Sequence, residues 1–386
     1  MIDSRDEQLL RRALDLARAG TGLAAPNPYV GAVIIDAKGN VVGEGTYTYA
    51  GVTHAEILAL EAARESARGG TLYINLEPHA HQGRTPPCTD ALIAAGIRRV
   101  VASMPDPNPK VSGRGFEQLR AAGVQVEVGG LEDDAKKLNE AFARYIRSGM
   151  PLVTLKSAMT LDGKIALSSR PGKADERGFK GQWITGEAAR AHVHELRHQN
   201  DAVLCGMGTI VKDNPLLTDR SGRPRRRPLL RVVLDSRLRL PLESCFIQSA
   251  SAERKDDAVI FCVNPERSKR KQFESLGIRI EEVGPAGDHP ERPDLGAVLH
   301  RLAEMEIASV MIEGGAMVNW SALHGGLVDK IFFYYAPIIS GSSKAVPLAR
   351  GFARELSSLP RVQHLQLHRF GEDFAVEGYL RDPYGS

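Results

Sequence analysis

The sequence predicts an α/β protein with two domains. The chain has 386 residues, 42% of them hydrophobic and 25% charged, which indicates a globular protein with room for two substantial cores. Strand-like and helix-like segments alternate along it, as in a mostly parallel or mixed sheet covered by helices. Because the stretch "SGMP" at 148–151 interrupts this alternation, we predict one domain at residues 1–147 and a second at 151–386.

The elements of the first domain follow from hydrophobic spacing and turn residues. "EQLLRRALDLARAG" has apolar residues at helical spacing, and "VGAVIIDAKGNVVGEG" is typical of two strands around the turn "AKGN". A helix opens at His54, followed by the strand "TLYINLEP", the helix "CTDALIAAG" and the strands "RRVVASM" and "VQVEV". "EDDAKKLNEAFARYIRSG" is predicted to be one amphipathic helix, acidic in its first turn and basic in its last.

The second domain begins with the strand "LVTLKSAM" and the helix "TGEAARAHVHELRHQ". The strands "DAVLCGMGTI", "LLRVVLD", "DAVIFCV" and "SVMIEGG" follow in that order. After the last of them, the turn at Glu313, Gly314 and Gly315 leads into a helix. Such a turn either presents backbone N–H groups to a dinucleotide phosphate or is only a tight connection. A Rossmann fingerprint is not supported, because there is no GxGxxG motif.

Two polar stretches of the second domain are predicted to be solvated. His192, His194 and His198 lie on one predicted helix. The last two could bind a metal at their four-residue spacing, but a solvated helix face is the preferred interpretation. The basic run "RSGRPRRRP" at 220–228 could hold a phosphate, but a solvated loop is preferred there too.

The composition argues against several classes of partner. A net charge of +3 is too small to indicate nucleic acid or a lipid surface. No apolar run approaches the roughly 18 residues of a membrane helix. The N-terminus "MIDSRDEQLL" lacks the apolar core of a signal peptide, and the four cysteines form no short disulfide framework. We expect a cytoplasmic protein.

Four side chains of the first domain are candidate zinc ligands, namely His54, His79, His81 and Cys88. A hydrolytic zinc site needs three protein ligands and one open position for water. Cys88 begins a helix, where the dipole favours the thiolate that binds metal. Glu56 can carry a proton from the activated water to a leaving amine. A lone His-x-Glu or Pro-Cys is weak, but together and in this order they match the pattern of nucleobase deaminases.

The segments "PNPYVGAVI", "HAE", "GRTPPCTDALI" and "VVASMPDPNPKVSGRG" closely resemble a family of bifunctional riboflavin-biosynthesis enzymes. In that family a diaminohydroxyphosphoribosylaminopyrimidine deaminase is joined to a 5-amino-6-(5-phosphoribosylamino)uracil reductase. The resemblance covers essentially the whole chain, and "GRTPPC" is highly specific to it. It implies an N-terminal cytidine-deaminase-like three-layer α/β/α domain and a C-terminal dihydrofolate-reductase-like α/β domain. It also implies a homo-oligomer that acts on a small phosphoribosyl pyrimidine.

The resemblance also implies the residues of a deaminase site. Zn²⁺ would be bound by His54, His79 and Cys88, with Glu56 as the proton shuttle. The substrate would be contacted by Asn27, His81, Arg84, Asp106 and Asn108. The chain departs from the family at two positions. The family usually has Cys at position 79, and it typically has a substrate-facing His where this chain has Tyr47.

"LKSAMTLDGKIAL", "VKDNPLLTDR" and "IEGG" look like the family's reductase domain, which uses NADPH. NADPH would be approached by Lys156, Ala158, Trp183, Thr209, Asp213, Ser236, Gly315, Ala316, Met317, Val318, Asn319, Trp320 and Ser321. The substrate would meet Gly181, Arg197, Leu217, Arg220 and Glu313. The two arginines suit a 5′-phosphate, while Gly181 replaces the family's usual Ser. The charged stretch at 170–180 is predicted to be a loop over this site.

The histidine at position 79 changes the charge of the zinc site. Imidazole binds zinc at about 2.0–2.1 Å and thiolate at about 2.3 Å, so the exchange is geometrically feasible. A His-Cys-Cys set is neutral around Zn²⁺, whereas His-His-Cys leaves one positive charge, so we expect a more acidic water and a less tightly held metal. We interpret the site as working, because Glu56, Cys88, His81 and Arg84 are all present.

Two other functions remain open at this point. The first is a reductase alone, with an inactive deaminase remnant, for which His79 and Tyr47 are the evidence. The second is a nucleic-acid base deaminase, which would need a basic, aromatic-lined groove. An aromatic content of 6% disfavours the second alternative.

Overall fold

The computed structural model describes residues 2–82, 86–167, 183–253, 256–287, 289–351 and 359–385. The chain divides into two compact units. The first runs to Gly149 and also includes Pro224–Arg227, and the second contains Met150–Arg223 and Pro228–Gly385. Within the described ranges, no helix is both long and apolar enough to span a membrane.

The first unit contains a five-stranded sheet. Its strands are β1 (Gly31–Ile35), β2 (Val41–Thr46), β3 (Thr71–Ile74), β4 (Arg99–Ala102) and β5 (Gln125–Val128). They lie in the order β2-β1-β3-β4-β5. β1 is antiparallel to both of its neighbours, and β3, β4 and β5 are parallel to one another. The parallel strands therefore end at one edge, where a site can form.

Helices cover both faces of this sheet. They are α1 (Ser4–Ala19), α2 (Ala55–Ala63), α3 (Cys88–Ala94), α4 (Arg114–Ala121), α5 (Glu132–Leu138) and α6 (Glu140–Ser148). Apolar residues of α1 pack with Val33 and Val101 on one face. Those of α2, α3 and α4 pack with Ile34 and Val100 on the other. The predicted three-layer α/β/α arrangement is confirmed.

The prediction of a single helix over 132–149 is wrong. The chain breaks at Asn139, whose φ of −106° and ψ of 16° separate α5 from α6. The fully buried Asn139 side chain accepts a hydrogen bond from the Tyr29 N–H at 2.8 Å and donates one to the Tyr29 carbonyl at 3.1 Å. Asparagine side chains that bind backbone groups compete with helical hydrogen bonding. Here the competing partner is 110 residues away in sequence.

The second unit is built on a nine-stranded mixed sheet. Its nine strands are β6 (Leu152–Thr160), β8 (Ala202–Gly206), β9 (Leu230–Leu234), β10 (Ala258–Cys262), β11 (Arg279–Glu282), β14 (Ser309–Ile312), β15 (Lys330–Ala336), β17 (Gln363–Phe370) and β18 (Asp373–Tyr379). They lie in the order β11-β10-β9-β8-β14-β6-β15-β18-β17. Two small two-stranded sheets pair β7 (Lys164–Ala166) with β16 (Val346–Pro347) and β12 (Pro285–Ala286) with β13 (His289–Pro293). The strands from β11 to β15 in this order are parallel, and β18 runs antiparallel to both of its neighbours, β15 and β17.

Helices also cover both faces of the larger sheet. They are α7 (Glu187–Gln199), α8 (Met207–Asp213), α9 (Cys245–Glu253), α10 (Arg267–Ser275), α11 (Leu295–Glu304) and α12 (Ala316–His324). Residues of α7, α9 and α10 share one apolar core with Val203 and Val233. Residues of α11 and α12 share the other with Leu155 and Leu204. The predicted α/β class is therefore confirmed for both units.

The prediction of a solvated helix face is wrong at His198, whereas the basic run at 220–228 does lie in a loop, of which residues 225–227 are half-buried. His198 is 2% exposed, and its Nδ1 lies 3.0 Å from Asp219 Oδ2. In the basic run, Arg226 is half-buried as part of the first unit. Its N–H donates to the Gly22 carbonyl at 2.8 Å, and its guanidinium lies 3.9 Å from the centre of the Tyr49 ring. Both side chains are held by partners distant in sequence, which charge and spacing do not indicate.

Candidate active sites

The three predicted zinc ligands come from three separate elements of the first unit. His54 is the N-cap residue of α2, and Cys88 is the first residue of α3. His79 lies in the loop after β3, and its carbonyl accepts a hydrogen bond from the Thr89 N–H of α3 at 3.2 Å. α2 also lies close against β2, because a Cβ at Gly45 would stand 2.1 Å from the Ala55 carbonyl oxygen. Local packing thus brings all three ligands to one edge of the sheet.

The ligand atoms of His54, His79 and Cys88 all lie within 4.8 Å of one another. His54 Nδ1 is 3.0 Å from Cys88 Sγ, close to the separation of about 3.5 Å that tetrahedral zinc with ordinary bond lengths would give. Within the described part of the chain, His79 Nδ1 is buried without a hydrogen-bond partner. A buried polar atom of this kind needs a partner. A zinc ion among these three atoms supplies one, so the residues fit the metal.

His81 lies beside His79, although it is itself exposed. The two Nε2 atoms are 3.3 Å apart, and the ring centres are separated by 4.1 Å. If Nδ1 of His79 faces the metal, its Nε2–H donates to His81. Zinc-binding imidazoles commonly donate their second N–H to a neighbouring acceptor, which fixes the orientation of the ring. His81 is therefore placed to orient His79.

Burial shifts the pKa of two of the ligands, His79 and Cys88. It lowers the pKa of His79 to about 4, with further contributions from His81 and His54, so this imidazole is neutral as a ligand must be. Burial also raises the pKa of the Cys88 thiol, and the charge of Glu56 adds to that rise. The helix N-terminus alone therefore does not keep Cys88 ionised. A cation at the site is what stabilises its thiolate.

Glu56 lies beside the ligands with only 3% of its surface exposed. Its carboxylate accepts a hydrogen bond from the Cys88 thiol. Burial raises the pKa of Glu56, while the positive charge of His54 acts in the opposite direction. A buried carboxyl with a raised pKa holds a proton more readily than an exposed one and can pass it on to a neighbouring group.

The implied substrate residue Asn27 contacts Tyr47, the residue at which the chain departs from the family. Tyr47 is 7% exposed and meets His54 edge-on, with ring centres 5.6 Å apart. Its hydroxyl accepts a hydrogen bond from Asn27 Nδ2 at 2.7 Å. Tyr47 therefore fixes the orientation of the Asn27 amide. This contact uses Nδ2 of Asn27 and does not involve its Oδ1. Arg84 lies outside the described residues.

Asp106 and Asn108 lie together in the loop after β4. The Asn108 N–H donates to Asp106 Oδ1 at 2.8 Å. Burial raises the pKa of Asp106 to about 6, although the Asn108 N–H opposes the rise and the charge of Glu77 adds to it. This loop therefore presents a carboxyl whose charge changes between mildly acidic and neutral pH.

The second unit contains a closed network of charges around Glu313. Arg197 donates from Nε and Nη2 to the two carboxylate oxygens at 2.6 and 3.1 Å, and Lys156 Nζ approaches at 3.4 Å. Burial alone would raise the pKa of Glu313, but the two cations outweigh it and lower the pKa to about 2. Arg197 also donates to the Thr218 carbonyl at 3.0 Å, which ties the network to the loop that carries Leu217 and Arg220.

Several implied cofactor residues lie at the carboxyl ends of parallel strands. β8 and β14 are neighbours, and each is followed by a helix, α8 or α12. α12 begins at Ala316, so its first backbone N–H groups point out of that edge. A Cβ built on Gly315 would stand 3.7 Å from Thr209 Oγ1. Helix N-termini with glycines in this position suit the phosphates of a dinucleotide, so these residues fit NADPH.

The other implied cofactor residues are spread along the same sheet. Lys156 and Ala158 lie on β6, while Asp213 ends α8 and has a pKa that burial raises. Ser236 lines a cavity of about 400 Å³ with Arg237. Trp183 is 57% exposed, with the Arg190 guanidinium 5.4 Å from its ring centre. Gly181 and the loop at 170–180 lie outside the described residues.

Three side chains escaped the sequence analysis, and two of them, Glu77 and His198, contact the loops that carry implied substrate residues. Glu77 binds backbone N–H groups of the Asp106 loop, and His198 binds Asp219 beside Arg220. His192 Nδ1 lies 2.6 Å from the Tyr334 hydroxyl. Only Glu77 could have been noticed in the sequence. It is a charged residue at the end of a buried strand, two positions before a candidate ligand, and a buried charge needs a partner.

Two family profiles match the chain. The profile described as the zinc-binding region of cytidine and deoxycytidylate deaminases matches residues 3–104. The profile described as the RibD C-terminal domain matches residues 151–376. The zinc-binding match includes His54, His79 and Cys88, and the second match includes Glu313.

Similar proteins extend along nearly the whole chain. The riboflavin biosynthesis protein RibD of Actinobacillus pleuropneumoniae is 39% identical over 379 residues, which cover 98% of this chain and 96% of that protein. RibD of Aquifex aeolicus is 38% identical over 97% of this chain and 99% of its own length. The solved structure of Acinetobacter baumannii RibD is 34% identical with a TM-score of 0.81, covering 97% of this chain and 98% of that chain. A Thermotoga maritima structure described as a diaminohydroxyphosphoribosylaminopyrimidine deaminase and 5-amino-6-(5-phosphoribosylamino)uracil reductase is 35% identical with a TM-score of 0.78, at the same coverage.

Proposed function

The chain belongs to the RibD family of riboflavin-biosynthesis proteins, and on this premise we propose how its two sites work. It is a bifunctional enzyme that combines a zinc-dependent pyrimidine deaminase with an NADPH-dependent reductase. The deaminase domain comprises residues 1–147 and the reductase domain residues 151–386. The first reaction deaminates 2,5-diamino-6-(5-phosphoribosylamino)pyrimidin-4-one. The second reduces the ribosyl group of the product to ribityl.

In the deaminase, His54, His79 and Cys88 bind Zn²⁺. Zinc, when bound, makes water a nucleophile toward the ring carbon that carries the amine. Glu56 accepts a proton on its carboxylate and delivers it to the departing amine, which its raised pKa and burial support. The observation that carries this assignment is the convergence of three ligand atoms within 4.8 Å beside this buried carboxyl.

The substrate contacts of the deaminase are part of the same proposal. Asn27 is oriented by Tyr47, whose neutral hydroxyl stands where the family typically has a histidine. Asp106 and Asn108 supply a carboxyl and an amide for polar groups of the pyrimidine. We assign the remaining contacts to His81 and Arg84, and the guanidinium of Arg84 suits the phosphate.

In the reductase, the first turn of α12 and Thr209 hold the phosphates of NADPH. NADPH, when bound, supplies a hydride to C1 of the opened ribose. Glu313 remains ionised because Arg197 and Lys156 compensate its charge, so it accepts hydrogen bonds from the sugar hydroxyls. Arg220 and Leu217 complete the substrate side, and Arg220 suits the 5′-phosphate. The other cofactor contacts are Ala158, Trp183, Asp213, Ser236 and the segment from Gly315 to Ser321.

Two features of the whole protein also belong to the proposal. We assign it to the cytoplasm, in agreement with four cysteines that are all free thiols. We also assign it a homo-oligomeric state, with a small-molecule substrate and no nucleic-acid or membrane partner. The reductase-only and nucleic-acid deaminase alternatives are not favoured, because the relatives named RibD match over the full chain.

The deciding experiment measures ammonia release from the phosphoribosyl diaminopyrimidine by purified protein without NADPH. We expect release that stops on chelation and falls about 10²- to 10⁴-fold in Glu56→Gln, as for loss of a general acid–base group. Glu61→Gln, an exposed position on the same helix, serves as the matched control. No release from protein that still oxidises NADPH with the deaminated substrate would mean that the first domain is inactive.

A further inference from the structure

Glu77 is a buried carboxylate that binds backbone N–H groups at both ends of one loop. It follows β3 and is 6% exposed. Its Oε2 accepts hydrogen bonds from the N–H groups of Asp106 at 3.0 Å and Gly113 at 2.8 Å. Its Oε1 accepts from the Gly115 N–H at 2.7 Å. Glu77 therefore accepts three backbone hydrogen bonds and acts as a fixed acceptor.

The loop that Glu77 closes carries two implied substrate residues, Asp106 and Asn108. Besides the hydrogen bond that joins these two residues, Asn108 Oδ1 accepts from the Lys110 N–H at 3.1 Å. The loop is therefore ordered internally, and Glu77 sets where this ordered segment lies. The approach is close, because a Cβ at Gly115 would stand only 2.2 Å from the Pro78 carbonyl oxygen.

The same side chain lies two residues before the zinc ligand His79. The Glu77 backbone N–H donates to the Met104 carbonyl at 3.0 Å, and the His79 carbonyl accepts from the Thr89 N–H at 3.2 Å. The chain between these two bonds is short and anchored at each end. A displacement of the loop at Asp106 relative to Glu77 is therefore a displacement relative to His79.

We propose that Glu77 is a positioning residue for the deamination, which sets the separation between the ligand His79 and the substrate residues Asp106 and Asn108. This role rests on the proposed deaminase function. Glu77 does not touch the reacting atoms. Its loss moves the substrate contacts while leaving the three ligand side chains in place, so the effect falls on substrate binding more than on the metal.

Glu77→Gln in the full-length protein tests this role. The amide keeps the size of the side chain but replaces one acceptor oxygen with an N–H group that faces other N–H groups. We expect KM for ammonia release to rise about tenfold, as for the loss of one or two hydrogen bonds. Zinc content per chain and NADPH oxidation with the deaminated substrate should match those of the native protein. Glu117→Gln, exposed on α4, is the control and should change none of these.

A double variant separates positioning from general structure. If Glu77 acts through Asp106, adding Glu77→Gln to Asp106→Asn raises KM by much less than the product of the single effects. Glu77→Asp, which keeps the charge, should give an intermediate KM. If Glu77→Gln does not fold, KM of Glu77→Asp decides the test. If neither variant folds, the role of Glu77 is structural and the proposal is overturned.

The remaining outcomes separate the role of Glu77 from the deaminase function itself. An unchanged KM in an active Glu77→Gln protein overturns the role of Glu77 and leaves the deaminase intact. Loss of zinc from Glu77→Gln, with an unchanged KM in the molecules that keep zinc, also overturns the role of Glu77. Native protein that releases no ammonia overturns the deaminase function itself, and with it the role of Glu77.

Discussion

The two candidate sites treat their central carboxyl groups in opposite ways. In the first unit, burial raises the pKa of Glu56 and raises that of Asp106 to about 6. In the second, Glu313 is also buried, yet its pKa falls to about 2 because Arg197 and Lys156 stand beside it. The deciding difference is therefore the presence of cations from the chain itself, since burial acts in the same direction in each case.

This difference shows how each site depends on what it binds. The first site has a buried polar atom, Nδ1 of His79, without a partner in the described part of the chain, and a thiol whose pKa is raised. A bound zinc ion would give this nitrogen a partner and stabilise the thiolate, so the first site depends on an added ion. In the second site, Glu313 is already paired with two cations of the chain itself, Arg197 and Lys156. Loss of one ligand should therefore empty the first site, whereas loss of one charge should destabilise the second.

The strongest test of this contrast is His79→Ala. We expect zinc affinity to fall by more than the 10- to 100-fold that is typical of changes around a metal site, because a ligand is removed outright. His79→Cys should keep the metal and hold it longer against a chelator, since a second thiolate neutralises the remaining charge. Zinc content after dialysis and the rate of zinc transfer to a chelator measure both effects. A His79→Ala protein that keeps one zinc per chain would contradict the assignment of His79 as a ligand.

The second test removes the closed network with Glu313→Gln. Two buried cations then lose their counter-charge, and breaking a buried pair in this way costs about 3–5 kcal/mol of unfolding free energy. Because the native pKa lies below the ordinary 4.5, the stability from Glu313 is present above about pH 4.5 and is lost as the pH falls toward 2. The difference in urea midpoint between the native protein and Glu313→Gln should therefore narrow as the pH falls over that range.

Replacement of an exposed partner gives the matched control. Glu132→Gln removes a surface ion pair with Lys136, whose side chains are 40% and 41% exposed, and should shift the midpoint little. Equal shifts in Glu313→Gln and Glu132→Gln would mean that the Glu313 network does not stabilise the second unit.

The smallest expected effect concerns Asp106 and has the opposite sign. Its native pKa is raised from 3.8 to about 6, so its stabilising contribution is present below about pH 3.8 and is lost as the pH rises to 6. Native protein should lose about 1–3 kcal/mol relative to Asp106→Asn between pH 4 and 6. Urea midpoints at several pH values in this window measure it. A constant difference across the window would show that burial does not perturb this carboxyl.

Much of the fold was predictable because it depends on local spacing. Apolar periodicity correctly indicated α1, the two strands around the turn "AKGN" and the strand, turn and helix at Glu313. The break at Asn139 was not predictable, because its cause is a hydrogen bond to Tyr29 far along the chain. The burial of His198 was missed for the same reason, since its partner Asp219 lies in another loop.

The amino-acid sequence by itself determined the residue types of the two sites and the family to which they belong. His54, Glu56, His79 and Cys88 could be named from motifs, because zinc chemistry restricts which side chains can serve. Only the tertiary structure decided how burial shifts the pKa of Glu56, His79 and Cys88 and where their loops lie. Desolvation and charge interactions depend on distances between elements that are remote in sequence, and the hold of Glu77 on the Asp106 loop is one such interaction.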